Sequence, residues 1–245
     1  MKNLLLGLVI LPLLIISCTT DAIDITESID SEISGKKSKK TARLVENLTP
    51  ENLENIYDYA GKLHNELLNV YLAGNYPYNT IAAISQEIET IAVLNSDTVF
   101  LNLKTNQPNT IEDVQEILDN PQAKLEEVIA NSSMTNAAKG SLSSFMSDTL
   151  LWENEEYEVI YPSITSYESS VIDNTQFSSE DKRIILTTSS IVRYSLYYAK
   201  ERKDKDWDSS VGNIVGGMIG AIANLSTAVS RSLVTGIVIH NLGAD

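Results

Sequence analysis

The chain carries one thiol, Cys18, and two imidazoles, His64 and His240. A structural zinc site takes four nitrogen or sulfur ligands, so these three residues cannot assemble one. No metal or other cofactor is expected. His64 falls on one helical line with Tyr57, Gly61, Leu68 and Tyr71. That is the place of a core histidine satisfied by a backbone carbonyl, with a base or ligand as the alternative. His240 stands near the chain end, where a protonated imidazole would stabilise a helix C-terminus. Ser179-x-x-Lys182 has the letters of a serine–lysine nucleophile pair, but the Lys-Thr-Gly element that accompanies such a pair is absent. A helix cap accounts for both residues. Glu153, Glu155, Glu156 and Glu158 offer carboxylates of the kind that cleave glycosides, though acids so closely spaced more often face solvent. Arg193 lies one turn from Tyr197 and beside Tyr194 and Tyr198. It suits stacking or an internal ion pair, with anion binding as the sharper reading. No phosphate-cradling glycine loop, HExxH or calcium-loop spacing is present.

The single cysteine has a context of its own. Met1-Lys2-Asn3 leads into an apolar run over residues 4–16, then Ser17-Cys18-Thr19-Thr20. A basic start, an apolar stretch and a small residue before the cut make up a secretory leader. The run is interrupted by Pro12 and falls short of the roughly 20 residues a spanning helix takes. Ile15-Ile16-Ser17-Cys18 resembles the lipobox of bacterial lipoproteins. That resemblance implies cleavage before Cys18, a diacylglyceryl group on its thiol and acylation of the new amine. It covers only residues 1–18; an ordinary leader with a chance cysteine is the alternative. With no second cysteine, an exported chain forms no internal disulfide. Each buried lipid methylene contributes about 0.8 kcal/mol, so two or three acyl chains would hold the protein to a membrane without a transmembrane helix.

Residues 18–48 read as a lipidated cysteine and flexible tether. Asp21, Asp24, Glu27, Asp30 and Glu32 come first, then Lys36, Lys37, Lys39, Lys40 and Arg43. Too little apolar surface is available to offset the entropy of ordering them. The lysines form a solvated spacer or an attraction to anionic headgroups, at about 1 kcal/mol per charge near the surface. Acids soon after the cysteine also resemble surface-export signals in some lipoproteins of Bacteroidota-type bacteria, and Thr19 is not the aspartate that retains lipoproteins in the inner membrane of enterobacteria. The outer membrane is expected, with its face left open. The membrane, reached through Cys18, is the expected partner. A net charge of −15 opposes nucleic-acid phosphates and excludes nucleic acid as a second one; a protein or small-molecule partner is not specified.

The elements that must position these groups lie in residues 49–245, enough for one domain with a sizeable core. Thr49-Pro50-Glu51 supplies an N-cap and first-turn proline, and apolar residues recur from Leu53 and Ile56 through Tyr71 up to Gly74. Further helices are expected over 79–94, from the Thr110–Asp113 capping box to just before Pro121, over 121–131 and 135–151, and over 179–203. Residues 98–103 (TVFLNL) and 157–161 (YEVIY) have strand-like composition and read as short edge strands or extended connections. The expectation is a mainly α, single helical domain of six to seven helices.

Residues 211–229 contain no charge, and Gly212, Gly216 and Gly220 stand four apart with Gly217 beside them. They form one face of a long glycine-rich C-terminal helix, where another backbone can come close. It packs at the centre of the domain or, alternatively, inserts into a bilayer as in glycine-zipper pore formers. Asn213, Asn224, Ser226, Thr227, Ser230 and Arg231, and a mean hydropathy of −0.07, weigh against insertion. The run Asp58-Tyr59-Ala60-Gly61-Lys62-Leu63-His64-Asn65, with the glycine-rich end, resembles patterns in exported proteins of Bacteroidota-type bacteria, which implies origin and domain integrity and no particular activity. The expected function is a lipid-anchored, non-catalytic binding or structural module of the cell envelope. A membrane-active protein stands second, and an enzyme assembled from scattered carboxylates third.

Overall fold

The structure is a computed structural model that describes residues 49–74, 76–77, 80–95, 110–201 and 206–243, all within the unit Val45–Asp245. Cys18, the expected leader and tether, and the short edge strand or extended connection expected over 98–103 lie outside the described residues. The fold is mainly helical. Nine α-helices are described: α1 (Tyr59–Ala73), α2 (Ile81–Asn95), α3 (Ile111–Asp119), α4 (Pro121–Asn131), α5 (Asn136–Leu150), α6 (Tyr157–Asp173), α7 (Ser179–Glu201), α8 (Trp207–Ala223) and α9 (Leu225–Gly243). The count exceeds the six to seven expected, and no strand occurs among the described residues.

Local chemistry sets several boundaries. Thr110 and Asp113 form a reciprocal capping box at the start of α3: the Asp113 amide donates to Thr110 Oγ1 at 3.0 Å and the Thr110 amide to Asp113 Oδ2 at 3.1 Å. Pro121 opens α4 behind the Asn120 N-cap, where a missing N–H costs nothing. The cap of α7 sits one residue earlier than expected: Ser178 and Asp181 satisfy each other's amides at 3.0 Å.

Three expectations need correction. Residues 49–58 are not the first turns of a helix, and α1 begins at Tyr59. Leu53 and Ile56 are 91% and 80% exposed, whereas Asn52 and Asn55 point inward. Residues 157–161 form the first turns of α6 and not a strand. Tyr157, Ile160, Ile164, Glu168 and Val171 are its buried residues. That helical spacing, pressed against α7, overrides the β-propensity of five residues. The glycine-rich end is two antiparallel helices, not one. Asn224 is extended (φ −172°, ψ 173°), and its Oδ1 accepts the Thr227 amide at 2.8 Å to start α9. Arg183 donates to the Ala221 and Ile222 carbonyls at 2.9 and 3.2 Å and satisfies the end of α8.

α7 is the pillar of the domain. Every residue from Ile184 to Leu196 is buried, and α1, α6 and α8 pack around them. The α8–α9 hairpin closes against α7, α1 and α2, while α4 and α5 pair, α4 resting on α8 and α5 on α7. No described helix is long and apolar enough to cross a membrane.

Candidate functional site

The densest chemistry lies where residues 49–58 meet α6 and α7. Arg193 is 0% exposed and pairs with Glu168, also 0% exposed, at 3.2 Å, and with Asp58, which is 15% exposed. Its guanidinium also donates to the Pro50 carbonyl. Glu168 accepts from Asn52 Nδ2 at 2.6 Å, Asn55 Nδ2 at 2.8 Å and Ser189 Oγ at 2.8 Å. Asn55 Nδ2 also reaches the Leu186 carbonyl at 3.0 Å. Asp58 takes the Tyr194 hydroxyl at 3.2 Å, and its carbonyl accepts from Ser190 Oγ at 2.8 Å. Burial disfavours the Arg193 cation, but Glu168 and Asp58 more than offset that and raise its pKa. Arg193 also lies 5.5 Å from the Tyr194 ring centre. The geometry thus gives Arg193 both an internal ion pair and stacking; one terminal nitrogen meets the Asp58 and Glu168 carboxylates and the other the Pro50 carbonyl. The cluster fastens residues 50–58 to the core.

Glu168, Asn52 and Asn55 were not singled out in the sequence, and Asp58 only as the first residue of the run Asp58–Asn65. The available signal was a glutamate on the apolar stripe of α6, where an acid is buried only if paired.

The remaining candidates are dispersed. His64 is completely buried. Burial pushes its imidazole down to about 4, and Asn213 approaches it without reaching full hydrogen-bond geometry, so it offsets that only in part. Above the unfolded value of 6.5 the ring is neutral in both states. As pH falls from there towards 4, the unfolded chain gains a proton that the folded chain refuses, and stability drops by roughly 3 kcal/mol across that window. Replacing His64 with glutamine should flatten the acid limb of urea-unfolding stability between pH 6.5 and 4, and an unchanged limb would refute the assignment. His240, in the last turn of α9, holds Asp206 Oδ2 at 2.6 Å. Asp206 stays below the usual carboxylate range because bonds from Ser209 and His240 outweigh its burial. Lys182 donates to the Ile172 carbonyl at 2.6 Å and closes α6, while Glu153, Glu155, Glu156 and Glu158 are exposed.

The expected glycine face is where the two C-terminal helices meet. A Cβ on Gly216 would lie 2.7 Å from the Arg231 carbonyl, one on Gly220 2.6 Å from Ala228 Cα, and one on Gly212 2.6 Å from Ile239 Cδ1. Gly217 faces Ile191 of α7. Gly236 and Gly61, not expected from the sequence as packing glycines, serve the same purpose: Gly236 makes room for Asn213, and Gly61 lies against the Ser190 backbone.

Beyond these packed groups, a cleft of about 460 Å³ opens where the ends of α4 and α8 meet the start of α9. Val128, Ile219 and Ile222 form its apolar wall, and Arg231, Thr227 and Asn131 are among its polar groups. Its size falls in the range of small-molecule sites. Comparisons of the chain with protein families, with curated proteins and with solved structures find no match.

Proposed function

We propose that this protein is a lipid-tethered binding module of the bacterial cell envelope, anchored through Cys18 and held to the outer membrane. The reading rests on Ile15-Ile16-Ser17-Cys18 at the end of an apolar leader, in a chain with no other thiol. The fold is consistent with a tether at that end. Residues 50–58, which follow the proposed tether in sequence, are fastened by Arg193 and Glu168, so a pull on the anchor would meet buried charge and hydrogen bonds. A module also needs a recognition surface, and the cleft beside Arg231 provides one.

Cys18→Ser, with the leader replaced by one that is cut off without lipidation, should move the protein from the membrane fraction to the soluble one. A leaderless Cys18→Ser chain that stays with membranes through alkaline extraction would instead support insertion by the glycine-rich end.

A further inference from the structure

We infer that the ridge formed by Leu53 and Ile56 is a membrane-contact surface, which rests on the bilayer to which the tether leads. This deepens the lipid-tethered reading and depends on it. Two successive turns shape the segment: the Asn55 amide donates to the Asn52 carbonyl at 3.1 Å, and the Asp58 amide to the Asn55 carbonyl at 2.9 Å. In turns closed this way, as in a 3₁₀ helix, positions three apart lie above one another. Asn52 and Asn55 form the inner line and hold Glu168 at 2.6 and 2.8 Å. Leu53 and Ile56 form the outer line, and the exposed Tyr59 continues it. The polarity is the reverse of an ordinary surface turn, with side-chain amides buried and aliphatic groups in water. The ridge cannot turn over and hide its apolar side without breaking buried hydrogen bonds.

Place in the chain identifies what the ridge meets. Residues 18–48 are all that separate Cys18 from the described domain, so the first turns of that domain are the part nearest the anchor along the chain. The tether thereby holds Leu53 and Ile56 at high local concentration beside one bilayer. An aliphatic pair with a tyrosine next to it suits the boundary between headgroups and acyl chains. The nearby charge does not oppose the contact, because Lys36, Lys37, Lys39, Lys40 and Arg43 outnumber Glu46, Glu51 and Glu54. Glu51 is itself paired with Lys62 at 3.6 Å, and Glu54 accepts from Ser169 Oγ at 3.2 Å. Two aliphatic side chains are too few to hold the domain on a membrane alone. The contact therefore forms under the tether and orients a domain that is already anchored.

The test uses the chain from Cys18 onward, which keeps the whole unit Val45–Asp245. Its one thiol is coupled to a maleimide phospholipid in vesicles of phosphatidylethanolamine and phosphatidylglycerol. Ile56→Trp and Ala123→Trp each add a fluorophore at an exposed position, the second on α4. Brominated acyl chains should quench most of the added emission of Ile56→Trp and leave that of Ala123→Trp unchanged. Leu53→Asp, which puts a charge on the ridge, should abolish the quenching of Ile56→Trp while the chain stays on the vesicles. Equal quenching at the two positions, none at Ile56→Trp, or quenching indifferent to Leu53→Asp would each overturn the assignment. So would a vesicle-free dimer that Leu53→Asp dissociates, since the ridge would then belong to a second copy. Chemical coupling supplies the tether whether or not the cell lipidates Cys18. Quenching thus reads the ridge, mass spectrometry of the host protein reads the anchor, and either can fail alone.

Discussion

Replacing Arg193 with methionine should cost about 3–5 kcal/mol of folding stability, the largest effect expected of any single substitution in the polar core. Methionine fills much of the same volume, so the loss is electrostatic rather than a cavity. Glu168 would remain fully buried with its three side-chain donors, Asn52, Asn55 and Ser189, but without a cation. Asp58 would suffer less, because it is partly exposed and keeps the Tyr194 hydroxyl. Glu168→Gln should therefore cost less than Arg193→Met, since Arg193 would still pair with Asp58. Combining the two should recover part of the Arg193 deficit, with a coupling of about 1–3 kcal/mol in equilibrium urea unfolding. Strict additivity would mean that the two charges do not act together. Limited proteolysis of the Arg193 variant should also cut first within residues 49–58, where the lost bonds lie.

Glycine to alanine should change stability in opposite directions at Gly220 and Gly140. Gly140, in α5, has nothing within 4 Å of a built Cβ, so alanine there simply favours the helix by about 1 kcal/mol. Gly220 gains the same intrinsic preference, but its new methyl would press on the Thr227 carbonyl and on Ala228 Cα. Both are backbone atoms of the facing helix and cannot rotate away. Overpacking of this kind costs about 1–3 kcal/mol, and here it must force α8 and α9 apart. At about 2–4 °C per kcal/mol for a domain of this size, Gly140→Ala should melt higher than the parent and Gly220→Ala lower. A Gly220→Ala protein as stable as Gly140→Ala would contradict the close approach.

Helices with one wet face were legible from sequence because their apolar residues recur against polar ones. α3 and α4 were bounded within about one residue by Thr110 and Pro121. The centre was harder to read. α7 and α8 are buried on nearly all sides, so Thr187, Ser190 and Arg193 carry no sign of which face they meet. The carbonyls left open by the break at Asn224 are satisfied by Arg183, some forty residues earlier. The partners of Arg193 are Pro50 and Asp58, ahead of α1, and Glu168 of α6. None lies near it in sequence, and the α6 start resembled a strand until Ile164, Glu168 and Val171 extended the period. The glycine spacing was informative because a missing side chain implies a close neighbour wherever that neighbour comes from; that Gly236 and Gly61 also serve it required the tertiary packing.

Mass spectrometry of the N-terminal peptide, from protein extracted out of the native host's membranes, tests the anchor most directly. Expected is a peptide that begins at Cys18, carrying a diacylglyceryl group on sulfur and an acylated amine. A peptide that still contains Ser17, or one whose Cys18 sulfur is unmodified, would contradict the lipid tether and with it the proposed place of this domain in the envelope.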